Sequence, residues 1–230
     1  MAQALVVLDD LEQLAAEAAR WLEKAIDTRI RRTGSCSIAL SGGSTPRPVY
    51  NRLALSPRIA WEKVHIYFGD ERCVPPGDPS SNYRMAQEAL LKSIRVPPAQ
   101  VHRIRGEHPD PETAARDYDA MVPEQLDLIL LGVGADGHTA SIFPNSIPSF
   151  DPSRRAVHTT SPLPPRDRIS ITPRVIEAAD ALLVLASGAD KAQAVAMARK
   201  TETDPVQVPA RLALRGTWLI DRDASRLVSA

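Results

Sequence analysis

Leu126-Asp127-Leu128-Ile129-Leu130-Leu131-Gly132-Val133-Gly134-Ala135-Asp136-Gly137-His138-Thr139-Ala140-Ser141-Ile142-Phe143-Pro144 is the stretch that decides the fold of this chain. A short, nearly unbroken apolar run reads as a parallel strand buried on both faces. It passes directly into glycines, which let the backbone turn sharply. In open α/β sheets, ligands bind at the carboxyl ends of strands. His138, the side chain best suited to moving a proton near neutral pH, sits on that turn.

The same pattern repeats on either side. Ala4–Leu8, Ser37–Leu40, Val64–Phe68, Arg168–Ile171, Leu182–Ala186 and Trp218–Ile220 read as strands, with shorter candidates at Val101–Ile104 and Ala156–Thr159. Residues 11–30 place Leu11, Leu14, Ala18, Leu22 and Ile26 near helical spacing and read as an amphipathic helix. Tyr83–Ile94 and Pro111–Met121 read as further helices. Another opens at Pro46, and one after Leu182–Ala186 carries Lys191 in its first turn. Residues 146–165, rich in Pro and Ser, read as a long surface loop. This alternation predicts an α/β fold, a single domain over residues 1–230 with a mostly parallel, twisted, Rossmann-like sheet and helices on both faces. Of the 11 glycines, Gly42, Gly43, Gly69, Gly132, Gly134, Gly137 and Gly188 follow strands directly, so they gather at one sheet edge.

Composition narrows the function. Lys and Arg total 28 against 28 Asp and Glu in 230 residues, a formal net charge of zero. That balance argues against a nucleic-acid or membrane-surface partner, and any anionic substrate needs a local positive clamp. No apolar run approaches the roughly 18 residues of a membrane span, and Met1–Asp9 lacks the form of a signal peptide. The 2 cysteines, Cys36 and Cys73, are too far apart for a CxxC pair, so a reducing cytoplasm is expected.

Several short segments carry candidate chemistry. Ser41-Gly42-Gly43-Ser44-Thr45-Pro46 offers N–H groups, hydroxyls and a following helix N-terminus to an anion. It reads equally as a plain strand-to-helix turn with Ser44 or Thr45 as N-cap. Asp70-Glu71-Arg72 sets charges at the end of a strand, where Arg72 can grip an anionic oxygen and Asp70 position it. Lys191 at the positive end of a helix is unfavourable unless a phosphate or water is its partner. Gly132–Gly137 matches G-x-G-x-x-G, yet it lies past the middle of the chain and Asp151 falls in a loop, so a dinucleotide site is poorly supported. His65, His102, His108 and His158 show no ligand spacing, and no H-E-x-x-H or G-x-S-x-G motif is present. Ser141 suits a capping role better than that of a nucleophile.

Taken together, Ser41–Pro46, Phe68–Pro75 with Ser81-Asn82-Tyr83-Arg84, and Leu131–Pro144 resemble the 6-phosphogluconolactonase family, within the glucosamine-6-phosphate deaminase/isomerase-like superfamily. Weaker matches are Ser161–Pro165 with Arg168, and Gly188–Ala192. The resemblance spans nearly the whole chain. It implies hydrolysis of 6-phosphogluconolactone to 6-phosphogluconate, in the oxidative pentose phosphate pathway, without metal or organic cofactor. It makes His138 the general base, with Asp70 and Asp136 ordering the site. Arg72 and Lys191 would hold the substrate phosphate with Gly42, Gly43, Ser44 and Thr45, and Arg168 would be a phosphate or substrate contact. A helix N-terminus near His138 would disfavour its imidazolium. The family often has lysine where this chain has Leu163, which shifts the expected positive charge of that loop to Arg166 or Arg168. The expected partner is a small-molecule sugar-phosphate lactone, met by a cytoplasmic monomer or small homo-oligomer.

The alternatives are a glucosamine-6-phosphate deaminase/isomerase and a non-catalytic sugar-phosphate-binding regulator. The former looks for Asn-Glu-Pro soon after the histidine, where Ile142-Phe143-Pro144 stands here. The latter usually carries a DNA-binding segment, and zero net charge argues against one.

Overall fold

The computed structural model describes residues 4–228. In chain order its main elements are β1 (Ala4–Leu8), α1 (Leu11–Thr33), β2 (Cys36–Leu40), α2 (Arg47–Leu53), β3 (Val64–Phe68), β4 (Asp70–Arg72), α3 (Asn82–Ala86), α4 (Pro111–Met121) and β5 (Leu128–Gly132). The remainder are β6 (Ala156–Thr160), β7 (Asp167–Ile171), α5 (Pro173–Ala178), β8 (Ala181–Ala186), α6 (Ala192–Arg199), β9 (Thr217–Asp221) and α7 (Arg222–Ser225).

Six strands form one sheet in the order β1-β9-β8-β5-β2-β3, every neighbouring pair parallel. This is the expected parallel α/β architecture. The residues 4–8, 64–68 and 111–121 form elements with the expected bounds. Burial explains the near-continuous apolar runs, since β8 and all of β5 but its last residue are buried. α1 faces the core with Leu14, Ala15, Ala18, Ala19, Leu22 and Ile26. Asp10 caps its start by accepting from Gln13 N at 2.8 Å, and Gly34 at φ 91 ends it. The helix therefore continues three residues past Ile30. The buried apolar side chains form one cluster running from Leu14 to Ala224.

A second sheet, β4-β7-β6, is antiparallel and was not expected. Gly69 hands the chain from one sheet to the other: its N–H donates to Leu40 O at 2.8 Å, and its carbonyl accepts from Ile171 N at 2.9 Å. Asp70-Glu71-Arg72 is thus a strand of the second sheet. Glu71 is buried because its carboxylate accepts from the backbone N–H groups of Arg72, Asn82 and Tyr83 and from Ser81 Oγ, holding the start of α3. One further expectation fails: residues 101–104 form no strand, only an isolated bridge from Val101 to Ile66. The helix expected over residues 83–94 forms over residues 82–91, starting as α3 and widening to π geometry at Gln87–Leu91.

The topology fixes where a site can form. From β2 the sheet continues to β3 on one side, and from β5 it continues to β8 on the other. The carboxyl ends of β2 and β5 therefore part at a topological switch point, where the loops diverge and leave a crevice.

Candidate active site

The loop after β5 forms one wall of that crevice. Gly137 N donates to Gly134 O at 3.0 Å and Gly134 N to His138 O at 2.8 Å, closing a tight turn with Gly137 at φ 87. Thr139 Oγ1 donates back to Gly132 O at 2.8 Å, and a second turn closes from Ile142 N to Thr139 O with Ala140 at φ 49. No helix follows His138. The helix dipole expected beside the imidazole is therefore not supplied by its own loop, whose backbone groups are committed to turns. The dinucleotide reading fails for the same reason, since its third glycine must open a helix.

Asp136 holds His138 instead. Its Oδ1 accepts from His138 N at 3.1 Å and lies 2.6 Å from His138 Nδ1. Burial pushes the Asp136 carboxyl up, but the hydrogen bonds and charge of His138 outweigh it and leave the carboxyl below its usual range. An ionised Asp136 fixes the proton on Nδ1 and leaves the Nε2 lone pair free. The ring packs against Phe143, with centroids 5.0 Å apart.

The turn after β2 forms the opposite wall. Tyr50 from α2 fixes its start: its hydroxyl accepts from Ser41 N at 2.9 Å and donates to Ser41 O at 2.7 Å. Gly43 sits at φ 104, and a Cβ on Gly42 would fall 1.8 Å from Asn82 Oδ1. Only glycine lets this backbone pass over Asn82. The N-cap of α2 is Pro46, without a side-chain cap, so neither Ser44 nor Thr45 serves as one.

The small sheet supplies the positive charge. Arg72 on β4 and Arg168 on β7 face each other in antiparallel register. Arg168 is buried, and its Nε donates to Pro165 O at 2.8 Å. Burial first, and then the Arg72 guanidinium beside it, pulls Arg168 below its ordinary value. Arg72 donates through Nη1 to Ser80 O, and its buried Nε has no hydrogen-bond partner among the described residues. Two adjacent guanidiniums, one with an unmet donor, suit an anion with several oxygens. Lys191 closes the 3-10 turn Ala189–Lys191, which runs directly into α6, and stands at the N-cap of that helix as expected; its Nζ pairs with Asp190 at 2.9 Å. Gly188, at φ 101, donates to the Asp221 carboxylate at 3.0 Å, which sets the turn in place.

The candidate site groups border one cleft of about 590 Å³. Gly42, Gly43, Ser44, Thr45, Asp70, Arg72, Asp136, His138, Arg168 and Lys191 all line it, so every candidate site residue is brought together. Its mouth carries Leu163, 70% exposed, in the loop bearing the cis Pro164-Pro165 bond. Asn82 and Ser141 also line the cleft, and sequence reasoning gave them no part in the site. Ser141 caps no helix, since it has none to cap. Its hydroxyl donates to Asp70 Oδ2 at 2.6 Å, and Asn82 Nδ2 donates to Asp70 Oδ1 at 3.0 Å. Both contacts span long stretches of chain, so local sequence carried no signal for them. The other histidines lie elsewhere: His65 stacks with His102, and His158 bonds Asp167 at 2.9 Å. Among the described residues, no group of three or more His, Cys, Asp or Glu side chains is placed to hold a metal ion, and no helix is long and apolar enough to cross a membrane.

Known proteins share this architecture. Residues 9–220 match the family model described as glucosamine-6-phosphate isomerases/6-phosphogluconolactonase. The chain is 39% identical over 202 residues to the 6-phosphogluconolactonase of Haemophilus influenzae, covering 83% of this chain and 87% of that protein. It is 40% identical over 245 residues to the 6-phosphogluconolactonase of Streptomyces coelicolor, covering 96% and 93% respectively. The solved 6-phosphogluconolactonase of Trypanosoma brucei superposes with a TM-score of 0.86 at 28% identity, covering 98% of each chain. This chain belongs to the glucosamine-6-phosphate isomerase/6-phosphogluconolactonase family.

Proposed function

We propose that the chain hydrolyses 6-phosphogluconolactone to 6-phosphogluconate, in the oxidative pentose phosphate pathway, with His138 as general base. The observation that carries the reading is the His138–Asp136 pair, 2.6 Å apart, opening into the same cleft as Arg72 and Arg168. Relatives named for this activity at 39% and 40% identity support it.

The roles follow from the geometry. Arg72, Arg168 and Lys191, with the N–H groups and hydroxyls of Gly42–Thr45, hold the phosphate. Nε2 of His138 takes a proton from water, and the resulting hydroxide attacks the lactone carbonyl. The tetrahedral oxyanion collapses, the bond from C1 to the ring oxygen breaks, and the imidazolium returns its proton to that oxygen. Asp136 offsets the imidazolium charge while it exists. Asp70, bonded by Asn82 and Ser141, keeps the walls in register. General-base help is typically worth about 10²–10⁴-fold, and an activated ester such as a δ-lactone needs no more. The reading takes a small-molecule substrate and a cytoplasmic monomer or small homo-oligomer without nucleic-acid or membrane partners, which the zero net charge and the 2 cysteines support.

The test couples lactone hydrolysis to oxidation of 6-phosphogluconate and reads the rate above spontaneous ring opening. Clear acceleration is expected, reduced at least about 10²-fold in His138→Ala. Arg72→Ala should chiefly raise KM. Wild-type turnover in His138→Ala sinks the base, and an inactive, folded wild type returns the deaminase/isomerase or binding-only reading.

A further inference from the structure

Ser141 makes two hydrogen bonds from the His138 loop, and both cross to the small sheet. Its hydroxyl donates to Asp70 Oδ2 at 2.6 Å, and its N–H donates to Ser170 Oγ at 3.1 Å. Asp70 and Ser170 are directly opposed in the β4–β7 register. All three residues are buried. Arg72 and Arg168 form the opposed pair two residues further along the same strands. Side chains two apart on a strand share a face, about 7 Å apart along it. The anion-binding pair and the anchor of the His138 loop are therefore consecutive rungs on one face of one rigid sheet.

The His138 loop has no helix to stiffen it: Thr139 Oγ1 ties it to Gly132 O at 2.8 Å and Ala210 N to Gly137 O at 2.9 Å, and the two Ser141 bonds tie it to the small sheet. Asn82 completes the hub. Its carboxamide donates to both the backbone carbonyl and the carboxylate of Asp70, at 3.0 Å each, while Gly42 rests against it.

We infer that Ser141 is a positioning residue that sets the spacing between the general base and the phosphate clamp, with the β4–β7 pair as the ruler. In 6-phosphogluconolactone the carbonyl carbon and the carbon that carries the phosphorylated arm both flank the ring oxygen, so the ring holds them at a fixed separation. A site that grips the phosphate must hold its base within the reach that this short arm and the ring set. Ser141 acts through His138, and the inference rests on His138 being the base.

Ser141→Ala removes the hydroxyl and adds no bulk. A misplacement of about 1 Å can cost 10²-fold in rate. The expected result is a kcat lower by roughly 10- to 100-fold with KM within about threefold, and a pH–rate profile of unchanged shape because the Asp136 contact survives. Ser141→Cys, of similar size with a weaker donor, should fall between, and it carries the test if the alanine variant does not fold by circular dichroism. A raised KM with kcat retained overturns the inference, as does a shifted pH profile or no change at all. The His138→Ala rate, measured alongside, reads the base assignment separately: if His138→Ala keeps wild-type turnover, that reading fails whatever Ser141→Ala does.

Discussion

A methyl group on Gly134 would lie 2.0 Å from His138 Nδ1 and 2.7 Å from Asp136 Oδ1. The glycine is there because the imidazole and its carboxylate fold back over the backbone that carries them. Gly134→Ala should leave the fold intact and lower kcat by about 10²-fold, through displacement of the ring. Steady-state kinetics beside a circular-dichroism spectrum would check this, and unaltered kcat would mean the ring does not need this pose. His138 and the glycines around it were legible in the sequence because one short segment contains them all. Its partner Asp136 was legible too, two residues away. The role of Ser141 was not, since its acceptor Asp70 lies 71 positions distant.

At the scale of elements, β3 is an edge strand of the large sheet, and its outer side carries a histidine pair. His65 Nδ1 lies 3.2 Å from His102 Nε2, and His102 stacks on Tyr67 with centroids 4.3 Å apart. Burial first, and then His65 beside it, pulls the His102 pKa below its ordinary value. The unfolded chain then binds more protons than the folded one between that lowered value and about 6.5. Stability should therefore rise with pH through this window and be lost as pH falls. His102→Phe keeps a ring against Tyr67 and should narrow the gap between urea midpoints at pH 5 and pH 7.5. An unchanged gap would assign the acid sensitivity to other groups.

At the scale of the whole molecule, two sheets meet at one cleft, and the small sheet brings two arginines side by side. Their mutual repulsion is relieved by an anion. Binding of product should then stabilise the folded state. 6-Phosphogluconate at about 100 times its Kd adds about 2.7 kcal/mol, or roughly 5–11 °C in Tm for a chain of this size. Gluconate without phosphate should shift Tm little, and Arg168→Ala should lose most of the shift. Equal shifts from both ligands, read by thermal denaturation, would show that the arginine pair does not hold the phosphate.

The sequence by itself determined the parallel α/β sheet, because buried strands declare themselves as apolar runs and helices as apolar stripes. It also placed the turn carrying Gly42–Thr45 and the loop carrying Asp136 and His138, because glycines and functional side chains sit together on short stretches there. Local patterns have more than one outcome elsewhere: no helix follows His138, and Asp70-Glu71-Arg72 pairs as a strand of the small sheet. The three-residue β4 is too short to show a period, and it exists only because β7 pairs with it. The register of Arg72 with Arg168, the seat of Asn82 under Gly42 and the bond from Ser141 to Asp70 were decided only by the tertiary structure. Each joins segments remote in sequence, and such pairings are set by how the sheets pack rather than by any residue's neighbours along the chain.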